Sequence, residues 1–181
     1  MRRISWRKMG APGGRHTLVG AVGVVLVSVL VAAAPALGDT QTRSLTIHTT
    51  GPSQSEDVTC LVPGPDNSCT TLQISETGTV TSNLAGKGTF QLTTLFTFPA
   101  NGCHAPSADE STTFTFDAGT ISTHTAIPAS CAPAPPKGLL INGSFVVTGG
   151  TGAFAGATGG GKEFSSIGNS STLLYVGTIT F

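Results

Sequence analysis

The stretch "TGGTGAFAGATGGGK", residues 148–162, decides how the chain is interpreted, because its glycines fit two nucleotide motifs as well as a structural corner. Its first residues match the start of a dinucleotide-binding fingerprint, and residues 156–162 fit the G-x-x-x-x-G-K part of a phosphate-binding loop. A dinucleotide turn lies between a strand and a helix in a unit of about 30 residues. After Gly152, residues 153–181 instead contain the pattern turn, strand, turn, strand. Glu163 stands where a phosphate loop needs a magnesium-binding hydroxyl. The sequence therefore predicts no nucleotide site.

A corner between two strands is the structural interpretation of the same stretch. The segment "GSFVVTGG" enters it, "KEFSS" leaves it, and Phe154 and Ala157 stand among the glycines as packing anchors. Glycine adopts positive φ and permits close backbone approach, both of which sharp corners and bulges in a barrel require. The glycines are therefore expected to shape the backbone.

Alternation of apolar and polar residues recurs along the chain from Ser44 onward, which is typical of half-buried strands. About eight short strands at this spacing predict an all-β sandwich or barrel. The last run reaches Phe181, and its pairing with the first strand would close a barrel and remove an open edge. The predicted strand segments are 43–49, 70–76, 78–86, 88–98, 112–116, 120–127, 138–150, 162–168 and 171–181.

The segment "FVVTGGTGAFAGATGGG", residues 145–161, resembles the G-G-T-G-x-F-x-x-A-x-G signature of the dirigent and allene oxide cyclase barrels. The closing "GTITF" is similar to that family's last strand, and the resemblance covers residues 143–181. It implies an eight-stranded antiparallel β-barrel around a largely apolar pocket. It also implies that any activity would be a cyclisation or coupling without a metal or organic cofactor. The matching residues are Gly149, Gly150, Thr151, Gly152, Phe154, Ala157 and Gly159.

The N-terminus has the three parts of a secretory signal peptide: basic residues before position 16, an apolar run over 18–34, and small residues in "AAAPALGDT". Cleavage before Asp39 is preferred and cleavage before Leu37 is the alternative. The general and twin-arginine export routes both stay open. The sequence therefore predicts a signal peptide over 1–38, one β-barrel domain over 39–181, and a secreted, extracellular protein without a membrane span after cleavage.

The charge balance of the predicted mature chain argues against nucleic acid as a partner. Residues 39–181 keep four basic and all nine acidic residues, so their formal charge is −5. A surface of this sign does not attract a phosphate backbone.

Four cysteines lie in the mature part, and an even number in an exported chain predicts two disulfides. Three pairings are possible. Cys60–Cys69 and Cys103–Cys131 are favoured because each closes a local loop rich in proline and glycine. Neither pair has the short spacing of a zinc knuckle, and His48, His104 and His124 have no metal-ligand spacing, so no metal site is predicted.

Acidic residues give the candidates for acid or base catalysis. Glu76 and Asp117 lie in or beside predicted strands, and a carboxylate facing an apolar barrel has a raised pKa suited to acid or base work. Asp109 and Glu110 are predicted to lie in a solvated loop. There is no G-x-S-x-G nucleophile elbow.

Two functions remain open at this point. The first is a non-catalytic binding or structural barrel for an apolar small molecule or a surface partner. The second is a cofactor-free cyclase or isomerase acting on an apolar substrate inside the barrel. A pocket with two or more inward polar groups would favour the second, whereas an interior filled by Phe90, Phe96, Phe114 and Phe145 would favour the first.

Overall fold

A computed structural model describes residues 40–65, 68–99, 105–130, 139–167 and 172–181, which form nine antiparallel strands. The predicted signal peptide lies outside these residues. No helix in the described ranges has the length and apolar character needed to span a membrane. The strands are β1 (Thr42–Thr49), β2 (Ser55–Pro63), β3 (Cys69–Ser82), β4 (Gly86–Thr97), β5 (Ser107–Phe116), β6 (Gly119–Ile127), β7 (Leu139–Gly150), β8 (Thr158–Ile167) and β9 (Thr172–Thr180).

Eight of these strands close into a barrel. Around the ring the order is β1, β9, β8, β7, β6, β5, β4, β3 and back to β1. The last strand pairs with the first, with Tyr175 opposite Ile47, and Ile47 in turn lies opposite Ser82 of β3. The predicted all-β, eight-stranded antiparallel barrel is therefore confirmed, as is its closure by the C-terminal strand.

Strand β3 corrects one detail of the sequence prediction, because segments 70–76 and 78–86 form one continuous strand over most of their length. Gly78, the first residue of the second predicted segment, faces the interior opposite Phe90. A Cβ at Gly78 would lie 2.5 Å from Cε1 of that ring. The glycine therefore makes room for an aromatic ring and does not mark a turn.

Strand β2 was not predicted. It pairs only with the first part of β3, outside the closed ring, and all nine of its residues are exposed. Because β2 buries no side chain, its sequence carries no alternation of apolar and polar residues that would reveal it.

The stretch 148–162 closes one end of the barrel, here called the corner end. It joins β7 to β8 through a single 3₁₀ turn, Gly152–Phe154. The buried Phe154 ring packs edge-on against Phe116 and Phe181, with centroid distances of 6.4 and 5.3 Å. The Ala153 amide donates to the Ala118 carbonyl over 2.8 Å, which ties the corner to the turn between β5 and β6.

The apolar core fills the barrel interior next to the corner end. Its members face inward from seven of the eight strands of the ring and from the corner itself. They are Leu45, Ile47, Val80, Phe90, Leu92, Phe114, Phe116, Ile121, Phe145, Val147, Phe154, Ala157, Leu173, Tyr175 and Ile179.

The Cys60–Cys69 disulfide is confirmed, with 5.8 Å between the Cα atoms. It joins the exposed β2 to the first residue of β3. Cys103 and Cys131 lie outside the described residues.

Removal of this disulfide is expected to loosen β2 and leave the ring intact, because β2 is not one of the eight strands of the closed ring. In a Cys60→Ser/Cys69→Ser variant, hydrogen exchange should speed up at β2 amides bonded to β3, while amides in β5 and β9 keep their protection. By chain-entropy estimates the disulfide contributes about 2.5–3 kcal/mol of stability, which the variant loses. Equal loss of protection in β5 and β9 would contradict this expectation.

Candidate functional site

Buried polar side chains form a belt inside the barrel, near the end opposite the corner. We call this the far end; β4 and β6 finish there, and β5 and β9 begin there. Each belt residue faces inward because alternate residues of a strand point to the same face. The polar belt consists of Thr94, Glu110, Thr112, Thr123, Thr125, Glu163, Ser165 and Tyr175.

Glu110 is the centre of the belt and accepts three hydrogen bonds. Thr94 Oγ1 donates to Oε2 over 3.0 Å. Tyr175 Oη and Thr112 Oγ1 lie 2.6 and 3.1 Å from Oε1. The cross-strand partners of Glu110 are Thr94 on β4 and Thr125 on β6, so sheet register alone surrounds this carboxyl with hydroxyl groups.

Tyr175 spans the barrel. Strands β9 and β5 are four positions apart in the ring of eight, so they form opposite walls. The Tyr175 hydroxyl crosses this distance to reach Glu110, and its ring makes edge contacts with Phe114 and Phe145, both at 5.1 Å between centroids. The phenol therefore fixes Glu110 from the other side of the interior and divides the belt from the apolar core.

Glu163 is the second buried carboxyl of the polar belt, and the glycine opposite it on β7 leaves space beside its side chain. Its partner on β7 is Gly143, where a Cβ would lie only 2.8 Å from Cγ2 of Thr125 on β6. Because that space is free of a β7 side chain, Thr125 Oγ1 reaches across to Oε2 of Glu163 at 2.5 Å. Ser165 Oγ donates to Oε1 over 3.0 Å.

Glu110 and Glu163 interact directly, and we call them the acid pair. The pKa of Glu110 is raised to about 8, mainly by burial and in addition by the negative charge of Glu163 and a hydrogen bond between the two carboxyls. Hydrogen bonds from Tyr175 and Thr94 act in the opposite direction. Burial, together with the charges of both glutamates, also holds the pKa of Tyr175 well above its usual value. At neutral pH Glu110 therefore holds a proton.

The two candidate acids named from the sequence occupy different environments. Glu76 is buried on the inward face of β3, and Ser53 Oγ donates a hydrogen bond to its carboxylate. Asp117 is exposed in the turn between β5 and β6. Only Glu76 therefore faces the interior, and neither residue belongs to the acid pair.

The predicted solvated loop at Asp109 and Glu110 is wrong, because both residues lie within β5. Asp109 points outward and pairs with His124 Nε2 at 3.2 Å, while Glu110 points inward. His48 is exposed and His104 lies outside the described residues. In the part of the chain that the structure describes, no cluster of three or more potential metal ligands occurs.

Sequence reasoning missed both members of the acid pair. Extending the alternation of Phe116 and Phe114 backward would have placed Thr112 and Glu110 on the inward face. For Glu163 the signal was misleading, since its neighbour Phe164 is 44% exposed while Glu163 is fully buried. On β8 the apolar residue points outward and the acidic residue points inward, which is the reverse of the usual alternation in a strand.

The interior combines the two features that the sequence analysis had set against each other. Phe90, Phe96, Phe114 and Phe145 are all buried, and several polar groups face inward among them. The arrangement places Glu110, a carboxyl that can give or receive a proton, among hydroxyl groups and next to aromatic rings.

A surface groove of ≈ 360 Å³ lies at the far end of β4, β5 and β6. Its lining includes Ala108 and Ile127, which belong to a small apolar cluster with Ile74 and Phe96. Ala108 precedes Glu110 by two residues on the same face of β5. The lining also includes the outward-pointing Asp109, so the groove opens on the outer face of the barrel.

The described residues thus define a closed antiparallel β-barrel with a buried acid pair inside it. Among solved structures the chain is similar to pyocyanin demethylase, with a TM-score of 0.49 and 16% sequence identity over 75% of this chain and 98% of that one. No known protein family and no curated protein matches the sequence.

Proposed function

We propose that this chain is a secreted binding protein of the dirigent and allene oxide cyclase type, which takes a small, largely apolar molecule into the far half of its barrel. The observation that carries the proposal is the Tyr175–Glu110 bridge with Glu163 beside it, enclosed by aromatic rings. In this arrangement the rings hold the apolar body, and the acid pair and Tyr175 orient its polar group.

The energetic cost of the belt supports a role in binding. Buried carboxyls are costly to desolvate, and well-packed apolar residues of similar volume are often neutral or stabilising in their place. A barrel that served only as a scaffold would gain stability from an apolar belt. Ligand pockets commonly combine apolar walls with a few convergent polar groups and titratable residues of shifted pKa, as this interior does.

Secretion and family membership have their own support. The Cys60–Cys69 disulfide fits an oxidising compartment, in agreement with the signal peptide expected over 1–38. The closed ring of eight strands and the corner at Gly149–Gly159 agree with the barrel type that the signature implies. Sequencing the N-terminus of protein recovered from the culture medium tests export, with Asp39 or Leu37 expected.

Binding can be tested with small neutral aromatic probes, benzyl alcohol and indole, followed by ¹H–¹⁵N NMR. Amide shifts are expected to concentrate on β5, β6, β8 and β9 around the belt. Tyr175→Phe should weaken benzyl alcohol about 5–10-fold, since one buried hydrogen bond contributes on the order of 1 kcal/mol. Thr113→Val, an outward substitution on β5, is the matched control and should leave binding unchanged. Shifts confined to the outer surface, or no shifts with either probe, would contradict the proposal.

A second candidate function is cofactor-free proton transfer, as in an isomerase or cyclase. The observation that favours it is the geometry of the acid pair, in which Glu110, an acid whose pKa is about 8, lies beside a second buried carboxyl, Glu163. Such matching near neutral pH suits general acid–base catalysis. Isomerisation of 3-cyclohexenone to its conjugated isomer, followed by ultraviolet absorbance, tests it. Loss of the reaction in both Glu110→Gln and Glu163→Gln is expected, and an unchanged rate in either variant would exclude the pair as the catalyst.

A further inference from the structure

We propose that the group bound at the acid pair is a cation, namely a protonated amine, amidine or guanidine carried by an apolar body. This inference rests on the proposed binding function and names the ligand class that the belt selects.

The charges of the described interior are all acidic. Glu110 and Glu163 are both buried, whereas no described lysine, arginine or histidine is buried. Arg43 bonds to Gln41 and lies over the Phe181 ring, and Lys162 donates to Ser144 on the outer face. Buried charges in proteins are normally paired, so a positive group carried by a ligand would complement the acid pair.

A second observation points to a ligand at the same place. Thr123 is 3% exposed, and its hydroxyl has no hydrogen-bond partner among the described residues. Its cross-strand partner is Thr112, which bonds Glu110, and Thr125 lies two residues further along the same inward face. A buried hydroxyl without a partner costs free energy. A ligand N–H beside the acid pair would supply the partner that Thr123 lacks.

The groups that face Glu110 determine how the affinity for a cation depends on pH. They are Thr94 from β4, Thr125 from β6, Glu163 from β8 and Tyr175 from β9, and of these only Glu163 and Tyr175 titrate. A bound cation favours the charged form of Glu110, so Glu110 loses its proton when the cation arrives. Affinity for a cation should therefore rise about tenfold per pH unit up to pH 8 and level off above it, because the pKa of Glu110 is about 8.

The experiment compares benzylguanidine, which stays charged from pH 6 to 9, with benzylurea, its neutral isostere, using calorimetry on the wild-type protein. The expected result is tighter binding of benzylguanidine, a Kd that falls about 50-fold from pH 6 to 8, and proton release visible as a dependence on buffer ionisation enthalpy. Benzylurea should bind with no pH dependence. Glu110→Gln should remove the pH dependence for benzylguanidine, and Asp109→Asn, the exposed neighbour, should preserve it.

A further variant separates ligand recognition from structure. Thr123→Val is expected to stabilise the unliganded protein, since it removes an unpaired buried hydroxyl, and to weaken benzylguanidine about fivefold or more. Benzylurea binding as tightly as benzylguanidine, or a flat pH profile in the wild type, would overturn the cation inference while the binding function stands. Failure of both probes, together with failure of benzyl alcohol and indole, would overturn the binding function itself. If Glu110→Gln does not fold, the wild-type pH profile and Thr123→Val decide the outcome.

Discussion

Glu110→Gln is expected to make the protein more stable than the wild type at pH 8 and to leave its stability nearly unchanged at pH 4.5. Glutamine mimics the protonated carboxyl and does not ionise. In the wild type the pKa of Glu110 is about 8 when folded, against 4.5 for an ordinary glutamate. Below pH 4.5 both states hold the proton. Between pH 4.5 and 8 only the folded state holds it, so wild-type stability falls across this window and levels off above it.

The size of this effect is on the order of a few kcal/mol, since each unit of pKa difference corresponds to about 1.4 kcal/mol. Urea unfolding at half-unit steps from pH 4 to 9 measures it as the difference between variant and wild type, in which the contributions of other groups cancel. Asp109→Asn is the control, because it removes a neighbouring carboxyl that points outward. Parallel curves for wild type and Glu110→Gln would show that Glu110 is ionised in the folded protein at neutral pH.

Gly152→Ala is expected to destabilise the barrel by about 3 kcal/mol or more, whereas Gly156→Ala costs about 1 kcal/mol. Both glycines have positive φ, 59° and 77°, so an alanine is strained at either position. At Gly152 a Cβ would also lie 2.4 Å from the Ala118 carbonyl oxygen, while at Gly156 nothing lies within 4 Å. Because the Ala118 carbonyl bonds the Ala153 amide, relief of this contact would break the joint between the corner and the β5–β6 turn.

Chemical unfolding of the two variants and of Lys162→Ala decides between a structural corner and a nucleotide site. Lys162→Ala should change stability by less than about 0.5 kcal/mol, since its exposed amine bonds only Ser144. ATP and NAD should leave the melting temperature unchanged. Equal losses of stability in Gly152→Ala and Gly156→Ala would show that the close contact with the Ala118 carbonyl is not the cause of the destabilisation. A nucleotide-dependent rise in melting temperature that Lys162→Ala abolishes would show that the glycines bind a ligand.

Much of the ring could be predicted from alternation because a strand that buries one face must place its apolar residues two apart. Segment 88–98 shows this well, since Phe90, Leu92, Thr94 and Phe96 all point inward in β4. The same reasoning failed where burial was not one-sided. Strand β2 buries nothing, and β8 exposes Phe164 while it buries Glu163, so neither sequence shows the expected pattern.

The sequence by itself determined most strands of the ring, the corner at Gly152, the local disulfide and the closure of the last strand on the first. These features depend on neighbours along the chain, on backbone freedom at single glycines, or on the need to pair a terminal strand. Only the tertiary structure decided that Tyr175 and Glu110, 65 residues apart, meet across the barrel, and that Thr125 reaches Glu163 over the vacant position at Gly143. Such contacts depend on ring order and register together, because both set which inward side chains share one level of the interior.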